Sequence, residues 1–180
     1  MSLQTHLGDR VDVKRQKRFT AAHAACHDAV YRYFRRRTTN PSTAEDLCAE
    51  VFRITWEKSA QEDQDLSAMV LFGIAHNVLR NHMRSSARSA NLLSSLFMER
   101  MDLGQDHGTD ADASVRDALD QLKPDDREVL LLTYWDGFTS SEVSDLLNTS
   151  ATAVRMRLHR ARKALGHLLQ RERESQESQR

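Results

Sequence analysis

The chain has 180 residues, of which 39% are hydrophobic, a size and composition that suit one large or two small soluble domains. Two cysteines are too few for a disulfide framework, and no apolar run approaches the roughly 20 residues of a membrane-spanning helix, so we predict a cytoplasmic protein without direct membrane insertion. The 26 basic and 26 acidic residues cancel in number, but basic residues cluster late and acidic residues mid-chain, which leaves a polyanionic partner open.

The spacing of apolar residues predicts an all-α fold. Apolar side chains recur every three or four positions, and only two prolines and six glycines interrupt the chain. After a polar N-terminal extension, residues 1–18, a first helix is expected from Phe19 to Arg37. Its inward face would carry an apolar stripe that consists of Ala22, Cys26, Ala29, Val30, Tyr33 and Phe34.

A second and a third helix complete the first predicted domain, residues 19–91. Ser42 and Glu45 have capping-box spacing and predict a helix that runs to Lys58. The third helix is expected over residues 67–90, with an apolar stripe on one side and basic residues on the other. The stripe consists of Leu71, Ile74, Ala75, Val78 and Leu79, and the basic residues are Arg80, Arg84 and Arg88.

An acidic linker and a second small domain follow. Residues 92–114 lose the helical periodicity, and their small and acidic side chains bury too little surface to offset the entropy of ordering them. Regular periodicity returns over residues 115–169, and the polar residues 170–180 are expected to form a solvated or frayed tail. The sequence therefore predicts two small helical domains joined by a flexible acidic linker.

The second domain has the pattern of a helix-turn-helix. Asp136-Gly137 ends one helix, and Thr139 with Glu142 forms a capping box that starts a short second helix. A polar turn, residues 148–150, leads into a long helix that is expected over residues 150–169. That helix has an inward stripe and an exposed face. The stripe is Val154, Leu158, Ala161, Leu165 and Leu168, and the exposed face contains Thr152, Met156, His159 and Lys163.

Basic residues border the exposed face of this last helix. At about 100° per residue, Arg155 and Arg162 lie on one side of the face, and Arg157 and Arg160 lie on the other. Cations in these positions would face the phosphate strands that border a DNA groove. A solvated basic helix would explain the arginines, but not the order of short capped helix, polar turn and basic helix, so we predict DNA binding.

Three blocks of sequence occur in order, with the acidic linker before the last: AEDLCAEVFRITWE, LFGIAHNVLRNHMR and DDREVLLLTYWDGFTSSEVSDLLNTSATAVRMRLHRARKAL. Together they resemble the extracytoplasmic-function group of the sigma-70 family, whose members keep a promoter-melting domain, region 2, and a helix-turn-helix domain, region 4. The resemblance implies a specificity subunit of RNA polymerase rather than an enzyme. Core RNA polymerase, promoter DNA and an anti-sigma factor are the implied partners, and no cofactor is implied.

The resemblance assigns promoter contacts to both domains. Region 4 of the family reads the minus-thirty-five element, and the matching positions are Arg155, Met156, His159 and Arg160, while Ser150 and Thr152 at the helix start would hold phosphates. Region 2 recognises and opens the minus-ten element through its third helix, where Asn77 and Asn81 match. Asparagine can pair with the edge of an unstacked base, and Arg80, Arg84 and Arg88 would hold phosphates of the single strand.

The second helix matches the surface by which the family docks on the coiled coil of the polymerase's largest subunit. The candidate contacts are Asp46, Glu50, Arg53 and Trp56, although a tryptophan on an amphipathic helix is as often a core residue. The chain departs from the family pattern at Ala49, which replaces a glutamine, at Val70, which replaces a tryptophan, and at Gly73, which replaces a basic residue. The last two departures predict weaker strand opening, which stacking by Phe72 would partly offset.

Three other interpretations of the sequence remain. His23, Cys26 and His27 share one helix face and are zinc-ligand types, but no fourth ligand is evident and an amphipathic helix accounts for Cys26, so no metal site is predicted. A recombinase with a helix-turn-helix tail is disfavoured because the first half has no nucleophile motif or glycine-rich phosphate loop. A dimeric regulator that acts without polymerase is disfavoured by the region 2 blocks.

We expect the isolated chain to bind promoter DNA weakly, because polymerase would hold its two halves at a fixed separation.

Overall fold

The computed structural model describes residues 3–61, 65–92 and 110–177. Within these ranges the chain forms α-helices and one short π-helical turn, which confirms the all-α prediction. It divides into two compact units, Met1–Glu99 and Arg100–Arg180. Residues 93–109, which make up most of the predicted linker, lie outside the described ranges. None of the described helices is long and apolar enough to cross a membrane.

Helix α1 spans Leu3–Arg35 and begins well before the predicted start at Phe19. The prediction was wrong because the basic segment ahead of Phe19 has its own packing partner: Arg15 and Arg18 donate hydrogen bonds to the end of the second helix. The inward stripe of α1 is otherwise as predicted, with Val30, Tyr33 and Phe34 fully buried. The helix therefore extends past the core that its apolar residues define.

Helix α2 spans Pro41–Lys58, and its cap differs from the predicted Ser42–Glu45 capping box. Asn40 is the N-cap residue, and its side chain accepts a hydrogen bond from the backbone N–H of Ser42 at 2.9 Å. The physical reason is Pro41, which disfavours helical geometry in the residue before it and suits the first helical position because it has no N–H. The cap therefore falls at Asn40.

Helix α3 spans Ala68–Leu92 and closes the core of the first unit. Its predicted stripe is buried as expected, and Leu71 and Ala75 are completely enclosed. Phe72 is also buried, at 5% exposure, with its ring edge-on to Tyr33 at 5.7 Å between centroids. The expectation that Phe72 stacks on DNA bases is therefore wrong, because the ring belongs to the core.

The second unit contains four further α-helices within its described residues: α4 (Asp110–Asp120), α5 (Pro124–Leu130), α6 (Ser140–Leu146) and α7 (Ala151–Glu177). Helix α4 begins inside the predicted linker, and it packs against α7 with Ala118 and Leu119 fully buried. Helix α7 continues to Glu177, so residues 170–177 are not frayed, but their described side chains are exposed, which agrees with the alternative of a solvated tail. No proline or glycine follows Leu169, and glutamine, arginine and glutamate are good helix formers.

An ion pair between a buried arginine and a partly exposed aspartate joins α4 to α5. Arg127 is 7% exposed, and its Nη1 lies 2.8 Å from the Asp120 Oδ1. Arginine is rarely buried unless it is paired. In a helical sequence pattern an arginine is assigned to the exposed face. The sequence therefore did not predict this contact.

The segment after α5 widens into a π-helical turn, Leu131–Trp135. The Asp136 N–H donates to the carbonyl of Leu131 at 3.0 Å, and Gly137 follows with a φ of 79°, a left-handed conformation that glycine adopts without strain. The predicted Asp136-Gly137 turn is thereby confirmed, and it brings the chain round to α6.

Candidate nucleic-acid interface

The short helix α6 is fixed at its start by the predicted capping box. The Thr139 Oγ1 accepts a hydrogen bond from the Glu142 N–H at 3.3 Å, and the Thr139 N–H donates to the Glu142 Oε2 at 2.8 Å. The hydrogen bond from the Thr139 backbone, reinforced by its hydroxyl, lowers the pKa of Glu142. The cap fixes where α6 begins, and α6 packs against α7.

A tight turn connects α6 to α7. Asn148 has a φ of 49°, a left-handed conformation that asparagine tolerates better than most residues. The Ser150 Oγ then accepts a hydrogen bond from the Ala153 N–H at 3.1 Å, so Ser150 caps α7 as predicted. The second unit therefore has helix-turn-helix geometry, with α7 as the second helix of the motif.

Helix α7 buries one side and exposes the other, as predicted. Val154, Leu158 and Ala161 lie in the core, whereas Leu165 and Leu168 are only half-buried. The predicted outward residues are all exposed, and Met156, at 62% exposure, is the most open of the large apolar side chains named for the described residues. An open groove of about 540 Å³ runs along this side of α7. It is lined by Thr152, Ala153, Arg155, Met156, Arg157, His159 and Arg160.

The four arginines that border this face fall into two pairs. Arg157 forms an ion pair with Asp125 of α5 at 3.5 Å, and Arg162 donates a hydrogen bond to the Tyr134 hydroxyl at 3.3 Å. These two contacts join α7 to α5 and to the π-helical turn of the same unit, although Arg162 itself remains exposed. Arg155 is instead held by the hydroxyl of Thr152 on its own helix at 3.2 Å, and Arg160 is exposed. The structure thus separates an inner pair, Arg157 and Arg162, from an outer pair, Arg155 and Arg160.

In the first unit, the polar candidates of α3 share one exposed face. At about 100° per residue they fall within an arc of about 100° on the side away from the core. All five are exposed: Asn77, Arg80, Asn81, Arg84 and Arg88. The Asn77 amide is engaged locally, because its Nδ2 donates to the Gly73 carbonyl at 3.0 Å and its Oδ1 accepts from Arg80 at 3.2 Å.

The polar candidates of α2 form a second exposed surface. Arg53 forms a two-point contact with Glu50, at 2.7 and 2.6 Å, and a further ion pair with Glu57 one turn on. The hydrogen bonds with Glu50 raise the pKa of Arg53 and lower that of Glu50. Asp46 is exposed, and Trp56 is 38% exposed at the other end of the same helix. Trp56 is therefore neither a core residue nor a free surface ring.

The side chains first considered as metal ligands do not converge. Cys26 is buried in the core, and burial raises the pKa of its thiol. His23 and His27 instead lie against the Phe52 ring, with centroid distances of 4.4 and 5.8 Å. Among the residues that the structure describes, no group of three His, Cys, Asp or Glu side chains could hold a metal ion.

Fold and site together define an all-α protein of two small domains, the second a helix-turn-helix. The family model described as Sigma-70 region 2 matches residues 23–89, and the model described as Sigma-70, region 4 matches residues 112–165. The chain therefore belongs to the sigma-70 family, in its extracytoplasmic-function group.

Named relatives support this assignment. A protein of Xanthomonas campestris pv. campestris named "Probable RNA polymerase sigma factor RfaY" is 31% identical over 157 residues, which cover 82% of this chain and 39% of that protein. The "ECF RNA polymerase sigma factor BldN" of Streptomyces coelicolor is 27% identical, over 79% of this chain and 56% of the relative. The chain thus spans about half of the length of these two relatives or less.

A solved structure has the same fold. The sigma factor RpoE from Bartonella quintana, crystallised in complex with the anti-sigma factor NepR, aligns with a TM-score of 0.66 at 22% identity. The alignment covers 86% of this chain and 96% of that one. The likeness therefore extends over both domains.

Proposed function

We propose that this chain docks on core RNA polymerase, directs it to promoters with a minus-thirty-five and a minus-ten element, and helps to open the minus-ten region. In this proposal residues 19–91 act as region 2, residues 115–169 act as region 4, and the protein works in the cytoplasm. RNA synthesis itself belongs to the polymerase. The observation that carries the proposal is the exposed face of α7, in a helix-turn-helix, with two arginines directed outward.

The minus-thirty-five element would be read by the outward face of α7. Arg155 and Arg160 border the face on opposite sides, where phosphates or guanine edges of a major groove would lie. Ser150 and Thr152 lie at the positively polarised start of the helix, which suits a backbone phosphate. The inner arginines, Arg157 and Arg162, are already engaged by their own unit, so we assign them to holding α7 in place.

Alanine substitutions test the two outer arginines. Arg155→Ala and Arg160→Ala should each weaken binding of the polymerase holoenzyme to the upstream element. Loss of a base contact costs about 1–3 kcal/mol of binding free energy and relaxes specificity at one position. Loss of a phosphate contact instead makes the plot of log binding constant against log salt concentration less steep, by about 1. Arg173→Ala is the matched control, because Arg173 is exposed on α7 beyond the groove. Equal effects of all three substitutions would contradict readout by this face.

Met156 gives the face an apolar centre. A thioether side chain between two cations and beside His159 suits the C5-methyl group of a thymine rather than a hydrogen-bonding base edge. Replacing each thymine of the upstream element by deoxyuridine, which lacks only that methyl, should weaken binding at one position. The same replacement should have no effect on the Met156→Ala variant. If no thymine methyl matters to the wild-type protein, Met156 does not read one.

The minus-ten element would be captured by the exposed face of α3. The arginines would hold the phosphates of the single strand, and Asn77 and Asn81 would pair with the edge of an unstacked base. Because the Asn77 amide is already hydrogen-bonded to Gly73 and Arg80, base capture must exchange these contacts for contacts with DNA. Binding to the opened strand would therefore release Arg80 for a phosphate.

Strand opening can be measured separately from duplex binding. Asn77→Ala should reduce permanganate reactivity of minus-ten thymines while holoenzyme binding to the duplex is retained. Ser86→Ala is the control, because Ser86 is exposed on the opposite side of the same helix. Unchanged permanganate reactivity in Asn77→Ala would count against this role.

Docking on the polymerase would use α2. Asp46, Glu50, Arg53 and Trp56 offer charged and aromatic side chains on exposed parts of one helix, a composition that suits a polar interface with an aromatic anchor. Arg53→Glu would break the contact with Glu50 and reverse the charge, and should abolish binding to core polymerase. Lys58→Glu, an exposed charge reversal one turn later, is the control.

The decisive test is run-off transcription with core polymerase on genomic fragments. Specific start sites that depend on the chain would support the proposal, and their absence beside an active control sigma factor would refute it.

We also propose an anti-sigma factor as a partner, since the RpoE neighbour was crystallised with one. The free chain should bind promoter DNA weakly, because each half alone makes few contacts.

A further inference from the structure

Arg15 and Arg18 of α1 contact the end of α2, and we call this set of contacts the grip. Arg15 donates from its Nη2 to the Trp56 carbonyl at 2.7 Å and from its Nε to the Ser59 Oγ at 3.1 Å. One turn on, Arg18 donates to the Gln61 carbonyl at 3.5 Å. Two cations thus meet the carbonyl end of α2, where helix polarity favours positive charge.

The same arginine covers the Trp56 ring. The guanidinium carbon of Arg15 lies 3.9 Å from the ring centroid, in cation–π geometry. On another side of the indole, the Phe19 ring packs edge-on at 5.2 Å. Trp56 is therefore held from two directions by α1 and yet keeps more than a third of its surface open.

Arg15 and Arg18 lie outside the part of the chain that the region 2 family model matches, which begins at residue 23, whereas their partners on α2 lie within it. Neither composition nor periodicity distinguishes Arg15 from its basic neighbours in the sequence KRQKRF. Arg15 differs from Lys17, which is exposed, because its planar guanidinium can stack on the indole and donate two hydrogen bonds at once.

We propose that Arg15 is a positioning residue for polymerase docking: it fixes the Trp56 indole and the end of α2 in the orientation that core polymerase binds. This inference rests on the proposed function. An indole held before binding loses less conformational freedom on binding, so the grip raises affinity without itself contacting the polymerase.

The first measurement uses the free protein. The chain has two tryptophans, so a Trp135→Phe background leaves Trp56 as the single fluorophore. In that background Arg15→Gln should shift the Trp56 emission and increase its quenching by acrylamide, because the cation over the ring is gone. Lys17→Gln is the control, and it should leave both signals unchanged. Equal signals in Arg15→Gln and Lys17→Gln would show that Arg15 does not hold the ring, and would overturn the proposal.

The second measurement is the affinity of the full chain for purified core RNA polymerase. Arg15→Gln should weaken binding by about threefold to tenfold, the range expected when one large side chain must be immobilised on binding instead of beforehand. In a Trp56→Ala background the same substitution should weaken binding clearly less, because the indole is no longer there to be positioned. If the two losses multiply instead, Arg15 acts independently of Trp56 and the proposal is wrong.

Three further outcomes are decisive. A wild-type chain that does not bind core polymerase refutes the proposed function, and this role with it, whereas wild-type binding that Arg15→Gln leaves unchanged refutes only the role of Arg15. If Arg15→Gln loses helical circular dichroism, Arg15→Lys carries the test, because lysine keeps the charge but lacks the planar fork. A folded Arg15→Lys chain should then show the altered Trp56 signal and intermediate affinity, and wild-type values for both would overturn the proposal.

Discussion

The half-buried ion pair between α4 and α5 provides a direct test of what stabilises region 4. Asp120→Ala removes the carboxylate whose Oδ1 lies 2.8 Å from the Arg127 Nη1. Arg127 is 7% exposed, so its guanidinium loses that partner in a place that water reaches poorly. The substitution therefore leaves a charge in a less compensated environment rather than simply deleting a contact.

The size of the effect follows from the burial of the two side chains. Breaking a fully buried ion pair by removing one partner costs about 3–5 kcal/mol. The Asp120 side chain is 27% exposed, so water replaces part of the interaction and we expect about 2–4 kcal/mol. For a domain of this size such a loss lowers the melting temperature by roughly 8–30 °C.

Thermal unfolding followed by Trp135 fluorescence in a Trp56→Phe background reports on this domain alone. Asp117→Ala is the control, because Asp117 is an exposed acid on the same helix. The double substitution Asp120→Leu with Arg127→Met should recover most of the lost stability, since replacing both ions by apolar groups is often close to neutral. If Asp120→Ala melts with the control, the ion pair does not hold α4 to α5.

Three further predictions concern the helix caps. Asn40→Ala should destabilise region 2 by about 1 kcal/mol in urea unfolding, whereas Ser42→Ala should have little effect, and equal losses would contradict capping by Asn40. Thr139→Ala should cost region 4 about 1 kcal/mol by the same assay, with Ser141→Ala, exposed in the same helix, as the control. The pKa of Glu142 is lowered from 4.5 in the folded chain. The Glu142 carboxylate therefore adds to the free energy of unfolding above pH 4.5, and this contribution is lost as the pH falls through the lowered pKa of the folded state. Wild-type stability should therefore fall more steeply below pH 4.5 than that of Glu142→Gln; parallel curves would argue against the assignment.

Local sequence signals predicted the helices and the helix-turn-helix well. The capping box at Thr139, the Asp136-Gly137 turn and the cap at Ser150 depend on neighbours within a few residues, so the sequence alone identifies them. The buried stripes of α1, α3 and the first half of α7 follow from the same local periodicity.

The misplaced helix ends have a different origin. The early part of α1 includes the basic segment that contacts α2, and α4, which also starts early, packs against α7. Both contacts join residues far apart in the chain, which periodicity within a short window does not register. Phe72 shows the same limit, since only packing against Tyr33 excludes it from contact with DNA.

The sequence by itself determined the family, the all-α class and the residues of the α7 face, because motif order and helical period are properties of neighbouring residues. Only the tertiary structure decided which arginines are available. Asp125 and Tyr134 engage Arg157 and Arg162, Asp120 pairs with Arg127, and Arg15 covers Trp56. An arginine side chain is long and can either extend into water or reach a distant partner. Its position in the sequence therefore says little about what it contacts until the helices are packed.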